Sequence, residues 1–399
     1  MRKNRISLIA LSSVLLVAAL LVSVGSGCGK PEDKVFKIAS IAAMSGSAAE
    51  WGIVQNGSLE IAVEDINAAG GIKVNGDSYT MEAFFYDHQY DPTIAATVAR
   101  KAIYDDGLKV IHTWSEPEIQ AMYPMVEKEE VIILTASSAT GVVGRQYPLV
   151  WSTFPHYPDS IEVVHEYAAQ KHPNLRRTAS FFPDTAAGIV MADDWRRIVS
   201  DFGFEIVDEI FIPVVGMEDF YPPLTSLLAK GVDIIEPSQL SPQERATLMK
   251  QARELGFEGI FIQDNLFDFT TLSETIGWEA IEGTIGGPEP IRLTTDIGKS
   301  WRERFQERTG SPELWPAYVY DSTWLLKLAI EKANSFDTQK IMEAMETVSY
   351  DGIFGLTKYG GEDIPEIGLN RVFSRAIYVV EIVNGEAIEA YSAMAQRAR

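Results

Sequence analysis

The chain has 399 residues, of which 46% are hydrophobic and 23% are charged, a composition typical of globular proteins. This length favours two or more domains over a single core. The 56 acidic residues outnumber the 34 basic ones and give a formal charge of −22. This balance argues against nucleic-acid binding, because that function leaves a basic surface.

The first residues are typical of an export signal rather than of a folded domain. The basic stretch MRKNR precedes the apolar run ISLIALSSVLLVAALLVSVG, and the single cysteine, Cys28, follows shortly afterwards. A cysteine just after small residues resembles a bacterial lipobox, although Gly25 stands where such boxes usually have leucine. We predict a signal peptide over 1–27, lipidation of Cys28 and a polar tether over 28–35. An uncleaved membrane helix and simple secretion are the alternatives.

From residue 36 onward, short apolar runs alternate with amphipathic stretches. The first strand candidate is FKIASIAA, a helix follows over 50–69, and the glycines of NAAGGI end it. TMEAFFYD is the next strand and PTIAATVARKAIYDD the next helix; LKVIHTW, a helix from Glu116 and VIILTA come after them. Continuous apolar strands separated by helices indicate parallel βαβ units with helices on both faces of the sheet.

Two prolines interrupt this alternation in VWSTFPHYPD (150–159), and a second α/β half then begins. Its strand candidates are RRTASFFPD, EIVDEIFIP, VDIIEPS and EGIFIQD, and its predicted helices cover 188–202, 220–230 and 242–255. A helix-rich region follows over 296–347. Near the end, AIYVVEIVNGEAIEA has the Asn-Gly turn of a β-hairpin.

The sequence lacks the common catalytic and cofactor motifs. There is no dinucleotide-binding G-x-G-x-x-G after a strand, no phosphate-binding G-x-x-x-x-G-K-[ST], no H-E-x-x-H and no G-x-S-x-G. The five histidines do not have metal-ligand spacing. We therefore expect no metal, no cofactor and no enzyme activity.

The stretch TWSEPE follows the third strand candidate and contains a helix-start signal. Ser115 and Glu118 have the S-x-x-E spacing of a capping box, which needs no ligand. Any ligand role for Ser115 is therefore additional to a role as a helix cap.

The order of several motifs resembles that of the leucine/isoleucine/valine-type binding proteins of ABC transporters. Residues 38–72 contain a Ser-Gly turn after the first strand, Gly52 and Gly57 in the first helix, and DINAAGGI at its end. The likeness extends over nearly the whole chain after the leader, through YDHQYDP (86–92), TASSAT (135–140), DFYPPLTSLLAKGVDII (219–235), LSETIG (272–277) and PAYVYDS (316–322).

The resemblance implies a type I periplasmic-binding-protein fold, in which a hinge of three crossovers joins two doubly wound parallel-sheet α/β lobes. It implies a first lobe of 36–153 plus 287–373 and a second lobe of 154–286 plus 374–399, with crossovers near 153, 286 and 373. Ligands of open α/β sheets bind at the carboxyl ends of the strands, which here border the cleft between the lobes.

The resemblance also implies contacts to an amino-acid ligand in the first lobe. Ser115 and Thr140 would bind its carboxylate, next to the free N–H groups of a helix N-terminus. The backbone at Ala139, beside Ser138, would help to position its ammonium group. Thr140 could equally serve only to turn its loop.

Further candidates come from both halves of the chain. Trp51 and Trp114 would line the side-chain pocket, although Trp51 could equally be a core residue. In the second lobe, Asp264 or Asn265 would pair with the ligand's ammonium. Tyr318 is an additional candidate contact.

Several residues depart from the family's pattern for branched amino acids. Ala186 and Ala187 stand where a tyrosine is common, and PSQLS (237–241) replaces a second aromatic. Glu116 and Glu118 would oppose a bound carboxylate if they faced it, and could equally face solvent. Together with Trp114, these departures suggest a ligand other than leucine, and an aromatic acid or an amide is among the candidates.

The function implied by the resemblance is that of a solute-binding receptor that passes an amino acid or similar small metabolite to an ABC permease complex. We expect an exported protein at the outer face of the bacterial cell membrane or in the periplasm, in contact with the membrane only through its lipid. A ligand sensor for a separate signalling partner and an α/β enzyme are the alternatives.

Overall fold

The computed structural model describes residues 34–46, 48–114, 116–136, 140–213, 217–237, 240–265, 269–365 and 367–395, without the side chains of 140, 186, 187 and 242. The predicted signal peptide, Cys28 and all but the last two residues of the predicted tether lie outside these ranges. Within them, no helix combines the length and the apolar character needed to cross a membrane.

The chain alternates strands and helices almost throughout. The strands are β1 (Val35–Ala42), β2 (Ile72–Val74), β3 (Asp77–Asp87), β4 (Val110–Thr113), β5 (Ile132–Thr135), β6 (Val150–Pro155), β7 (Arg177–Pro183), β8 (Glu205–Ile212), β9 (Ile234–Glu236), β10 (Ile260–Gln263), β11 (Ile285–Gly286), β12 (Ser349–Gly352), β13 (Gly355–Gly360), β14 (Val372–Ser374), β15 (Ile377–Val383) and β16 (Glu386–Ala393).

The helices mostly cover the two faces of the sheets. They are α1 (Ala49–Ala68), α2 (Pro92–Arg100), α3 (Glu116–Lys128), α4 (Tyr157–Lys171), α5 (Ala186–Asp201), α6 (Tyr221–Ala229), α7 (Pro242–Glu254), α8 (Phe269–Ile276), α9 (Trp278–Ile281), α10 (Asp296–Thr309), α11 (Ala317–Ala333) and α12 (Thr338–Met345). A 3₁₀ turn at Thr140–Val142 follows β5.

Two separate sheets define two lobes. The first has the strand order β12-β13-β14-β6-β5-β4-β1-β3-β2, and the second has β16-β15-β11-β10-β9-β7-β8. Parallel pairs join β1 to β4, β4 to β5 and β5 to β6 in the first sheet, and join β8, β7, β9, β10 and β11 in the second. The prediction of two parallel-sheet α/β lobes is therefore confirmed.

The chain passes between the sheets three times: between β6 and β7, after β11, and between β14 and β15. These passages lie close to the predicted crossovers at 153, 286 and 373. The residue boundaries of the lobes stay a prediction.

The strands at the centre of each lobe are buried because both of their faces are covered. Every residue of β4, β5 and β6 is buried, as is every residue of β9 and β10. One hydrophobic cluster fills the first lobe, and two clusters lie on the second sheet. Apolar runs without polar alternation are what a doubly covered parallel sheet requires.

The first sheet contains a short strand, β2, that the sequence pattern did not predict. β2 and β3 form an antiparallel hairpin around Asn75 and Gly76, both of which have positive φ. An Asn-Gly pair is a signal for such a turn, but β2 has only three residues, too few for an alternating pattern. The predicted hairpin near the end is present, with Asn384 and Gly385 at the turn between β15 and β16.

Asp321 on α11 is a buried acid in the first lobe, and its ionisation makes the stability of the protein depend on pH. Its side chain is 0% exposed, and its Oδ1 accepts a hydrogen bond from the backbone N–H of Ile353 at 2.9 Å. Burial raises the pKa of this carboxyl to about 7. Because the folded protein then binds the proton more tightly than the unfolded chain, the free energy of unfolding falls as pH rises from about 4 to about 7.

Asp321→Asn keeps an acceptor oxygen but cannot ionise. Between about pH 4 and about pH 8, we expect the free energy of unfolding of the wild-type protein to fall by an amount on the order of 4 kcal/mol because of Asp321. The Asp321→Asn protein should not show this fall. Urea unfolding of both proteins across this range measures the difference. Parallel pH profiles would contradict the buried, proton-binding role of Asp321.

Candidate functional site

The carboxyl ends of β4 and β5 lie side by side, because the two strands pair in parallel with Thr113 opposite Thr135. Trp114 and α3 follow β4, and the 3₁₀ turn at Thr140–Val142 follows β5. Ser115, Ser138, Ala139 and the side chain of Thr140 lie outside the described part of the chain, so their predicted contacts stay predictions.

Four aromatic side chains form what we call the aromatic wall: Tyr90, Trp51, Trp114 and Trp315. The ring centroids of Trp51 and Trp114 are 4.1 Å apart in an edge-to-face arrangement, and those of Trp51 and Tyr90 are 6.0 Å apart. Trp114 stacks on Trp315 with centroids 6.1 Å apart. Trp51 and Trp114 are each only partly buried. The structure therefore brings the two predicted pocket tryptophans together and adds two rings.

Gly52 allows α1 to approach the end of β1. A Cβ atom on Gly52 would lie 1.8 Å from the carbonyl oxygen of Ala43, which is far inside contact distance. This contact fixes the position of the neighbouring Trp51 against the strand ends. A small cavity, partly open to solvent, lies here and is lined by Trp51, Trp114 and His88.

His88 is buried beneath this cavity and has a defined hydrogen-bonding role. Its Nδ1 accepts a hydrogen bond from the backbone N–H of Tyr90 at 3.0 Å and lies 3.9 Å from Glu118 Oε1. Burial lowers the pKa of His88, although Glu118 opposes the effect. The imidazole is therefore neutral near pH 7.

The two glutamates in the first turn of α3 do not both face solvent. Glu118 is 1% exposed and lies beside His88. Glu116 is partly buried: its Oε1 is buried and has no hydrogen-bond partner among the described residues, and burial raises the pKa of the carboxyl. Because Glu118 is enclosed by the first lobe, the expectation that it could face solvent is wrong.

In the second lobe, Asp264 directly follows β10 at the carboxyl edge of that sheet. It is fully buried, and the hydroxyl of Tyr157 donates to its Oδ1 at 3.4 Å. Ser160, in the first turn of α4, donates to its backbone carbonyl. Asn265 beside it is partly buried. The predicted ammonium partner is thus held by the start of the helix that follows the first crossover.

A buried histidine–glutamate pair lies behind Asp264. His165 Nε2 is 3.2 Å from the carboxylate of Glu236, and its Nδ1 donates to the carbonyl of Ile161 at 2.7 Å. Burial alone lowers the pKa of His165, but the Glu236 carboxylate raises it above its ordinary value overall. Ligand atoms of His165, Glu236 and Asp264 lie within 4.8 Å of one another.

This cluster already has the bonds of a structural network. Trp195 Nε1 donates to Glu236 Oε2 at 2.7 Å, and the Thr178 hydroxyl donates to Oε1. With the imidazole also bonded to the carboxylate, both oxygens of Glu236 have donors. The geometry therefore offers no argument for a metal, and the expectation of none stays a prediction.

Tyr318 lies at the start of α11 with its hydroxyl already bonded. It is 0% exposed, donates to Glu289 Oε1 at 3.1 Å and accepts a hydrogen bond from Arg375 Nη2. Arg375 also donates to the carbonyls of Ala376 and Pro288. Glu289 follows the second crossover and Arg375 lies in the third, so Tyr318 connects two crossovers to the first lobe.

Sequence reasoning missed Trp315 and Phe154, which link the aromatic wall to Tyr318. The centroid of Phe154 is 6.3 Å from that of Trp315 and 4.3 Å from that of Tyr318. Trp315 directly precedes the PAYVYDS motif, and that position was the available signal. Trp315 and Trp114 are about 200 residues apart in the sequence, and a contact between such distant residues leaves no periodic pattern.

Two parallel α/β sheets connected by three crossovers define the class of two-lobed binding proteins. A family model for periplasmic binding proteins matches residues 35–387, and the chain belongs to that family. The leucine-, isoleucine-, valine-, threonine- and alanine-binding protein of Pseudomonas aeruginosa is 25% identical over 341 residues, which cover 84% of this chain and 88% of that protein.

Solved structures show the same fold. The closed conformation of a leucine-, isoleucine-, valine-, threonine- and alanine-binding protein from Brucella ovis has a TM-score of 0.78 at 20% identity, over 91% of this chain and 96% of that one. A solute-binding protein of an ABC transporter from Rhodopseudomonas palustris, in complex with 3,4-dihydroxybenzoic acid, has a TM-score of 0.73 at 21% identity, over 91% and 98%. The fold is that of type I periplasmic binding proteins.

Proposed function

We propose that this chain is an extracytoplasmic receptor of an ABC importer that binds an amino acid or similar small metabolite between its two lobes. The observation that carries the proposal is the aromatic wall at the carboxyl ends of the first lobe's strands, where open α/β sheets bind ligands. Partly exposed tryptophan side chains supply apolar contact area in a pocket. Family membership makes transport the natural use of such a site.

The proposed binding mechanism is closure of the two lobes around the ligand. A ligand that contacts both lobes binds the closed form more tightly and shifts the population towards it. Trp51, Trp114 and the start of α3 are the first lobe's contribution, and Asp264 with Asn265 is the second lobe's. Tyr318 acts in this scheme through the crossovers it contacts.

The delivery part of the proposal includes export and a lipid on Cys28. A lipidated receptor stays close to the membrane, where it can pass its ligand to the permease complex. The proposed site makes or breaks no bond in the ligand. Mass spectrometry should therefore recover a bound compound unchanged after prolonged incubation, whereas turnover would revive the enzyme alternative.

A thermal-shift screen of the purified protein against amino acids, aromatic acids and amides tests the proposal. A ligand at about 100 times its dissociation constant stabilises the folded state by about 2.7 kcal/mol, which raises the melting temperature by several degrees. We expect at least one compound to do so in a concentration-dependent way. If no amino acid stabilises the protein, the amino-acid form of the proposal is wrong.

Ser115→Ala separates a ligand contact from a helix cap. If the Ser115 hydroxyl bonds the ligand, its loss should weaken binding by about 10-fold or more, as titration calorimetry would measure with the stabilising compound. A loss of about 1 kcal/mol in the free energy of unfolding with unchanged affinity would leave Ser115 as a cap only.

A further inference from the structure

The side chain of Glu116 lies between the two strand ends that form the candidate site. Glu116 is the first residue of α3, two residues after Trp114 of the aromatic wall. Its carboxylate packs against the 3₁₀ turn that follows β5, because a Cβ atom on Gly141 would lie 3.1 Å from Oε2. A carboxylate therefore lies beside Gly141, the residue after Thr140, to which the resemblance assigns the ligand's own carboxylate.

In the described part of the chain, Glu116 has no positively charged partner. Among the described residues, no lysine, arginine or histidine forms an ion pair with it, and its Oε1 is buried without a hydrogen-bond partner. Burial raises the pKa of the carboxyl, as expected for an acid that lacks a partner. Glu118, two residues along, differs because it lies beside His88.

A buried acceptor without a donor is costly, and a ligand can remove that cost by supplying an N–H group. A ligand carboxylate in the same place would put two like charges together, or would require one acid to take up a proton. The neighbouring aromatic wall favours the same outcome, since the faces of Trp51 and Trp114 attract cations. Both features select nitrogen donors over anions.

We propose that Glu116 determines ligand specificity, and that the group it receives is a nitrogen donor, namely an amide, an amidinium or a protonated amine, rather than a carboxylate. This inference rests on the proposed function, because it assumes that the ligand binds at the ends of β4 and β5. It narrows the ligand from amino acids and similar metabolites to compounds with a free N–H group at that end.

Benzoate, benzamide and benzamidine test this inference, because they share one ring and one planar shape but carry an anion, a neutral amide and a cation. Leucine and leucinamide provide the same comparison on an aliphatic scaffold. In calorimetric titrations of the wild-type protein, we expect benzamidine, benzamide or leucinamide to bind at least about 10-fold more tightly than the matched carboxylate.

Glu116→Gln should change this order. A charge-assisted hydrogen bond becomes a neutral one, so the affinity for the cationic probe should fall by about 10-fold to 100-fold. The neutral amide should lose less, because glutamine keeps an acceptor oxygen. The carboxylates should bind more tightly than they do to the wild-type protein.

Glu127→Gln is the matched control, since Glu127 is an exposed acid on the same helix about three turns away. It changes the net charge equally and should leave every affinity unchanged. Equal effects of the two substitutions would show that Glu116 acts only through its long-range charge, and would overturn the inference.

Other results of the calorimetric titrations would also overturn the inference about Glu116. Tighter binding of leucine or benzoate to the wild-type protein would show a carboxylate site and would leave the receptor function intact. Failure of every amide and cationic probe to bind would also count against the inference. If no compound in the thermal-shift screen binds either, the proposed function fails with it.

Discussion

Replacing Gly52 with alanine should lower the free energy of unfolding by about 2 kcal/mol or more and weaken ligand binding. The new methyl group would lie 1.8 Å from the carbonyl oxygen of Ala43, and that oxygen belongs to the backbone and cannot rotate away. Overpacking against fixed atoms costs about 1–3 kcal/mol or more, and here α1 must move as a whole. The helix propensity of alanine offsets only about 1 kcal/mol.

Gly57→Ala on the same helix is the control. Its methyl group would lie 2.5 Å from Thr309 Cγ2, which is a side-chain methyl group and not a backbone atom. We expect a much smaller loss of stability and no change in binding. Urea unfolding with tryptophan fluorescence measures both variants. Equal losses of stability in the two variants would contradict the special role of the close contact between α1 and the end of β1.

Glu236→Gln should cost about 3–5 kcal/mol of unfolding free energy, because it leaves a buried histidine without its charged partner. Glu236 is fully buried and accepts hydrogen bonds from the Trp195 and Thr178 side chains as well as bonding His165. The amide group of glutamine would present N–H groups to at least one of these donors. The loss should also disturb Asp264, whose carboxylate lies in the same cluster.

The loss of stability caused by Glu236→Gln should depend on pH. Because the pKa of His165 is raised in the folded protein, the pair's contribution to stability is fully present below the unfolded value near 6.5. It is lost as pH rises through the folded pKa. The difference between wild-type protein and Glu236→Gln should therefore shrink towards alkaline pH.

Glu205→Gln is the comparison for this second prediction. Glu205 forms an ion pair with Arg177 at the exposed edge of the second sheet, where such pairs contribute at most about 1 kcal/mol. A loss of similar size for the two substitutions would contradict the central role of Glu236 in the second lobe.

The sequence allowed the alternation of strands and helices to be predicted because doubly covered parallel strands are continuously apolar. The run VIILTA becomes β5, with each residue of Ile132–Thr135 buried. The turn at Asn384 and Gly385 could be predicted for a local reason as well, since a two-residue hairpin turn requires positive φ. Short strands such as β2 carry too little pattern.

The candidate site could be located from the sequence, but its chemistry could not be predicted. Trp51 and Trp114 were expected in one pocket, and their rings are in contact. Whether Glu116 faced solvent depended on the packing of α3 against Gly141, which is separated from it by a whole strand. The hydroxyl partners of Tyr318 come from two crossovers remote in sequence, so their contacts arise only on folding.

The central claim is that two lobes close on a small molecule, and small-angle X-ray scattering tests it most directly. The radius of gyration should be measured without ligand and with a saturating amount of the compound that stabilises the protein most in the thermal-shift screen. Lobe closure predicts a smaller radius of gyration in the presence of that compound and no change with a compound that does not stabilise. An unchanged radius with the stabilising compound would contradict closure of the two lobes on the ligand.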